Sequence, residues 1–412
     1  MKKIAKKVLK YLLITISTLV ISANLFAVLS GRFYLYNAVW QTYLHGESGV
    51  TIYDKEKFYH TTLNPGEGDD WKFHKDLNEQ KISDEFRDYL EELETAAFLV
   101  IRGDTVLYEE YWDEHDQKTV SNSFSMAKTV VSLLIGVATE EGKISSLDDP
   151  VGKYLKKFKG GGKENISLRH LLTMSSGLSW GESGKNPLSD NAEGYYGWDL
   201  WGQTMRQEAL TKPGVTFDYQ GGSTELLAFV LEEATKMDLT DYAQQKIWSK
   251  IGAQDKAYWS LDDEGGNEKA FCCLYATARD FAKLGRLMLS KGKVNGEQII
   301  PEWYYEEMIT LADLKTKECR PNQRYGLHYW LYYGVSNPVQ YYRGLLGQYI
   351  ITMPEENLII VRLGKKSKPR FEIPEHLKSD KAYAERNKMH IGHCVDLFQY
   401  IALGKMIESQ SE

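Results

Sequence analysis

The sequence predicts an α+β protein: an antiparallel sheet flanked by helices, a mostly helical lobe set between two groups of strands, and one N-terminal transmembrane helix ahead of them. Three observations carry this prediction. Residues 11–31 hold no charge and follow lysines at positions 2, 3, 6, 7 and 10, which is enough apolar chain to cross a bilayer at about 20 residues. Alternating or continuously apolar runs of strand length lie near both ends of the rest of the chain, at 96–112 and 326–363. Between them apolar residues recur at helical spacing, first in 129–138.

Taken in order, residues 1–32 form a membrane anchor or signal. The basic side stays cytoplasmic and puts the chain beyond Arg32 on the outer face. No small-x-small cleavage site stands out near Ser22, Ala23 or Ala27, so an uncleaved anchor is expected, with secretion after cleavage as the alternative. Residues 33–84 are mixed and turn-rich, notably in Asn64-Pro-Gly-Glu-Gly-Asp-Asp70, and are expected to be an irregular extension without chemistry. The main domain is expected over 85–408. It opens with a helix at 82–93 and a hairpin whose strands, 96–101 and 105–112, flank Arg102-Gly103-Asp104. Helices are expected from Ser125, at 166–179 up to Gly177, at 223–234 behind a Ser223 cap, at 240–251 and at 276–291. The stretch 180–212 has no period and reads as a long loop. The helical lobe thus spans about 120–300, inserted in a sheet lobe whose later strands lie at 326–333, 348–353 and 357–363. A helix over about 380–407 closes the chain against the sheet.

Of 412 residues 42% are hydrophobic, which supplies core for one large domain or two, and a net charge of −7 argues against nucleic-acid binding. The four cysteines, Cys272, Cys273, Cys319 and Cys394, show no paired spacing. A bridge between neighbours in the chain would be strained, so Cys272 and Cys273 are expected to be small buried hydrophobes. His170, among leucines, is expected to be a satisfied core residue, and the helically spaced His390 and His393 lack a carboxylate partner for a metal. No metal or organic cofactor is expected.

The chemistry concentrates at Ser125-Met-Ala-Lys128. At three-residue spacing on a helix the two side chains share a face, so the amine reaches the hydroxyl. Serine is a weak nucleophile until a base takes its proton, and a lysine buried beside it can be that base. By itself Ser-x-x-Lys is a common chance pattern, and its neighbours give it weight. They are Leu147-Asp-Asp-Pro-Val151, Leu168-Arg-His-Leu-Leu-Thr-Met-Ser-Ser-Gly-Leu178, Pro213-Gly-Val-Thr-Phe-Asp-Tyr219 and Ala276-Thr-Ala-Arg-Asp-Phe-Ala282. In this order they resemble the serine beta-lactamase-related hydrolases, a group with class C beta-lactamases, D-alanyl-D-alanine carboxypeptidases, esterases and 6-aminohexanoate-dimer hydrolases, over about residues 90–365.

The resemblance implies a beta-lactamase/transpeptidase-like fold, with Ser125 as nucleophile and Lys128 and Tyr219 as acid and base. The family's second element is Tyr-x-Asn; here Tyr219-Gln220-Gly221 keeps the Tyr and lacks the Asn. Its third is Lys-Thr-Gly or His-x-Gly, replaced by Tyr342-Arg-Gly-Leu-Leu-Gly-Gln348, a form resembling the 6-aminohexanoate-dimer hydrolase branch. There Tyr342 takes the lysine's place, Arg343 can stand in for the cation, Gly344 lets the backbone approach substrate, and the Leu345 N–H completes an oxyanion hole with the Ser125 N–H. Ser189-Asp190-Asn191 spells a class A element without its Lys-Thr-Gly partner; Asp190 remains a candidate for holding a substrate amine. The expected activity is hydrolysis of an amide or ester in a small-molecule or peptide-like substrate through an acyl-enzyme, by a protein anchored through residues 11–31. The alternatives are a D-alanyl-D-alanine carboxypeptidase or beta-lactamase, and a catalytically silent cell-wall-binding module.

Overall fold

The computed structural model describes residues 2–68 and 70–411, without the side chain of Lys2; of the turn at 64–70, Asp69 lies outside the described residues. Six helices carry the architecture: α1 (Lys2–Ser30), α2 (Tyr34–Gln41), α3 (Met126–Glu140), α4 (Gly221–Thr235), α5 (Ala278–Leu289) and α6 (Val395–Ser409). The main sheet has seven strands: β1 (Lys72–Phe73), β2 (Thr95–Arg102), β3 (Thr105–Tyr111), β4 (Trp330–Tyr332), β5 (Val339–Gly344), β6 (Gln348–Met353) and β7 (Leu358–Gly364). Their order is β4-β5-β6-β7-β2-β3-β1, and every pairing is antiparallel except that of β1 with β3. The early hairpin and the late strands therefore form one sheet, as the periodicity predicts.

Both faces of that sheet are covered, so its central strands are buried on both sides and read as near-continuous apolar runs. Alternation still sorts the residues. Leu99 and Ile101 join the core shared with α3 and α5, whereas Phe98 and Val100 face Leu397, Tyr400 and Ile401 of α6. A glycine marks the closest approach of each covering helix. A Cβ on Gly285 would meet Ile359 at 2.8 Å, and one on Gly404 would meet Ile360 at 2.2 Å.

The helical lobe is built on α3, which is buried from Met126 through Ala138 and packs on α4. A helix apolar on every side belongs inside a core, and α3 is the lobe's central post. Beside its N-terminus a second sheet joins His60–Leu63, Ala257–Ser260, Leu274–Ala276 and Ser121–Asn122 in that order.

Several expectations change. The stretch 180–212 holds two helices, Asp190–Tyr196 and Leu200–Met205, each started by a side-chain cap from Ser189 or Asp199; one or two turns are too short to show a period. The C-terminal helix is broken into Lys381–Asn387 and α6, with Gly392 between them at φ +82°. Strand β5 adds a strand that the expected set lacks, with Val339, Tyr341 and Tyr342 buried in it. Cys272 and Cys273 are buried, as expected, but are bonded to each other; a left-handed backbone at Cys273, φ +69°, turns the chain so that the pair can close.

Candidate active site

The chain delivers Ser125 from a strand end into a helix start. Ser123 N–H donates to Leu274 O, and the Phe124 N–H donates to the Asn122 side chain at 2.8 Å. Phe124 takes φ +44°, a conformation that costs energy for any residue but glycine and persists where the surroundings over-determine it. One residue on, Ser125 occupies the N-cap position of α3 and is half-buried. Lys128 is 1% exposed, and its Nζ donates to Ser125 Oγ at 3.0 Å and to Phe271 O at 2.5 Å. Phe271 is itself fixed, since its N–H donates to Glu225 Oε1 at 2.8 Å. Burial pushes the Glu225 carboxyl well above the usual carboxylate range.

Tyr219 forms the second wall. Its ring lies 5.2 Å from Lys128 Nζ and is held by Trp330 at 5.5 Å and Tyr325 at 5.9 Å. The third wall is the end of β5. A Cβ on Gly344 would lie 2.2 Å from Ser123 O, so only glycine lets this strand close on the Ser123–Ser125 segment. Leu345 comes next, and among the described residues neither its N–H nor that of Ser125 is taken by an internal hydrogen bond. The Gln348 side chain pins the Leu345 turn to β7, donating to Leu345 O at 2.9 Å and to Gly364 O at 2.7 Å.

These walls enclose a cleft of about 410 Å³ lined by Ser125, Phe124, Tyr219, Gly344 and Leu345. The chemistry available there is nucleophilic attack with a base in contact and two free backbone donors nearby. Leu35, Ala38, Val39 and Thr42 also line it, so the extension after α1 packs on the main domain as a wall of this cleft. No sequence signal marks this, because α2 is brought to the cleft only by tertiary packing.

A profile of the family described as Beta-lactamase matches residues 82–383. The chain belongs to the beta-lactamase family. The 6-aminohexanoate-dimer hydrolase of Paenarthrobacter ureafaciens is 26% identical over 303 residues, 68% of this chain and 75% of that protein. A Bacillus anthracis structure provisionally assigned as a 6-aminohexanoate-dimer hydrolase superposes with a TM-score of 0.71 at 22% identity, covering 87% of this chain and 94% of that one. The class C beta-lactamase of Rhodobacter sphaeroides gives a TM-score of 0.53 at 16% identity over 72% of this chain and 96% of its own. The fold is that of the beta-lactamase family.

Against the family pattern two departures take physical form. Where Tyr-x-Asn would place an amide, Gly221 leaves room that the Phe271 ring and Glu182 fill. Glu182 Oε2 accepts from Gly221 N–H at 2.6 Å and Trp180 Nε1 at 2.9 Å, and Glu182 lines the cleft. Sequence reasoning passes over it, since a lone acid in an aperiodic stretch gives no signal. Where the lysine would stand, Tyr342 is buried away from the cleft, whereas Arg343 and Arg370 line it. Among the described residues neither arginine is in an ion pair, and both guanidinium groups lie over Trp330, at 5.7 and 5.9 Å. Burial and the neighbouring Arg343 hold Arg370 below the ordinary arginine range.

Asp190 does not reach the cleft. Its Oδ2 accepts from Gly181 N–H at 2.8 Å and its Oδ1 faces the Gln207 amide, while Asn191 takes the lining position. These bonds to the Gly181 backbone and the Gln207 side chain make Asp190 a structural acceptor. His170 is satisfied within its capping box with Ser167, and His393 is hydrogen-bonded to the Tyr341 hydroxyl at 2.6 Å.

Proposed function

We propose that this protein is a serine hydrolase that cleaves an amide or ester through an acyl-enzyme on Ser125. The observation that carries this reading is the 3.0 Å contact between Lys128 Nζ and Ser125 Oγ at the floor of the cleft. As Oγ attacks the carbonyl carbon, its proton passes to Lys128; the carbonyl electron pair moves to oxygen and is held by the Ser125 and Leu345 N–H groups. Collapse of the tetrahedral species breaks the bond to the leaving group, which takes a proton through Tyr219 or Lys128. Water then attacks the acyl carbon with the same pair as base and restores Ser125.

The alternative of a D-alanyl-D-alanine carboxypeptidase draws support from Arg343 and Arg370, which give the cleft the cationic side that a substrate carboxylate would need. Helix α1 contains an 18-residue window of mean hydropathy 2.3 with little burial, which supports a membrane-spanning anchor or signal, and the lysines at its N-terminal end support an outward-facing hydrolase domain.

The test is fluorophosphonate labelling and nitrophenyl-ester turnover by the detergent-solubilised full chain. Ser125→Ala is expected to lose both, and Lys128→Ala to lower kcat by roughly 10²–10⁴-fold. Labelling that persists in Ser125→Ala would sink the reading, and an inert wild type would favour the silent wall-binding module. Penicillin retained on Ser125 would move it to the carboxypeptidase.

A further inference from the structure

We propose that the cleft opens at the lipid–water interface and takes its substrate, an amphiphilic ester or amide, laterally from the membrane that holds α1. This deepens the hydrolase and anchor readings and rests on them.

The first observation is rigidity. Only residues 31–33 separate α1 from α2. The Arg32 guanidinium donates to Tyr34 Oη at 2.9 Å and to Leu188 O at 3.0 Å, and Tyr34 Oη donates to Pro187 O at 3.0 Å. Tyr36 Oη donates back to Asn24 of α1 at 3.0 Å, and the Asn37 amide donates to Tyr196 O at 2.7 Å. These five hydrogen bonds tie the end of the membrane helix, α2 and the 187–196 rim of the cleft together and hold the cleft beside the plane where α1 leaves the bilayer.

The second is that α2 has two working faces. Leu35, Ala38 and, just past its end, Thr42 line the cleft, while Phe33, Tyr36 and Trp40, joined by Tyr43 and Leu44 of the turn that follows, form an exposed stripe, with Trp40 57% and Leu44 66% exposed. From Phe33 to Leu44 there is no charged residue. An uncharged, aromatic-rich face that continues directly from a membrane-spanning helix suits the headgroup boundary, where amphipathic rings are favoured. Its occupant is the lipid surface.

The third observation joins the two faces. Val39 and Tyr43 are both exposed and part of the cleft lining, so the mouth of the cleft runs along the aromatic stripe. An acyl or other apolar tail can stay among lipid while its carbonyl reaches Ser125, and a water-soluble substrate gains nothing from this placement.

The experiment uses the full chain in vesicles of phosphatidylcholine and phosphatidylglycerol. Trp40→Phe is expected to remove a tryptophan component quenched by brominated phosphatidylcholine in the wild type; equal quenching in both overturns the placement. The double variant Trp40→Ser, Leu44→Ser is expected to keep turnover of a soluble nitrophenyl butyrate, which reports correct folding, and to lose about tenfold or more on a long-chain fluorogenic ester resident in the vesicle. Equal effects on the two esters overturn the lateral route. Absence of Ser125-dependent turnover of either ester, with Trp40 still quenched, overturns the hydrolase reading and the substrate class with it. Loss of quenching with soluble turnover intact overturns only the membrane placement of the cleft.

Discussion

At Ser125 the backbone carries most of the positioning. The left-handed Phe124, the Ser123 N–H on Leu274 and the bare Cα of Gly344 set Ser125 between a strand end and a helix start before any neighbouring side chain is considered. Gly344→Ala puts a methyl group on Ser123 O, so either β5 or the Ser123–Ser125 segment must move; misplacement of about 1 Å can cost about 10²-fold in rate. The expected result is a loss of kcat of that order with the far-ultraviolet circular dichroism unchanged. His328 makes a pH prediction. Its Nδ1–H donates to Leu172 O and its Nε2 accepts from Thr224, so burial holds a neutral ring and lowers its pKa to about 3 from an ordinary 6.5. Between those values the unfolded chain binds a proton that the folded one refuses. The stabilising contribution is therefore complete above pH 6.5 and declines as pH falls toward 3. Relative to His328→Gln, the wild type should lose about 1.4 kcal/mol of unfolding free energy per pH unit in that window, read by chemical unfolding in detergent at pH 7, 6 and 5.

Among the elements, α3 and α5 show how pattern and cap work together. α5 begins at Thr277, whose hydroxyl accepts from Asp280 N–H at 3.2 Å, and lays Phe281, Leu284 and Met288 on the core. Thr277→Ala should cost about 1 kcal/mol, measured as a lower unfolding midpoint, with ester turnover at ambient temperature retained. Such long, capped or strongly apolar helices are legible in the sequence because core burial and periodicity coincide, as are the β2–β3 hairpin and β6. The short helices at 190–205 are not, because one or two turns show no period and Asp190–Tyr196 is held by the distant α2 and its hydrogen bonds; β5 pairs with the strands next to it in the chain, β4 and β6. The same holds for the site. Ser125 and Lys128 are readable from spacing on one helix, whereas Glu182 enters through a cavity left by Gly221, and Asp190 fails because its helix start faces the backbone of Gly181.

For the whole molecule, the anchor reading predicts that the full chain stays with membranes through high salt and alkaline carbonate and is released by detergent, while the chain lacking residues 1–31 is not retained after carbonate treatment. Recovery of the full chain in the soluble fraction, shortened at its N-terminus, would instead mark α1 as a cleaved signal. By itself the sequence determined the family, the α+β division, the apolar N-terminal helix and the Ser125–Lys128 pair, because each depends on residues close in the chain or on ordered motifs whose local periods survive folding. Only the tertiary structure decided what surrounds that pair. The cleft is closed by α2 from the extension, by Gly344 at the end of a strand 219 positions beyond Ser125 and by arginines from two different segments. Contacts between segments that far apart are set by how the layers pack, and no local pattern in the chain records them.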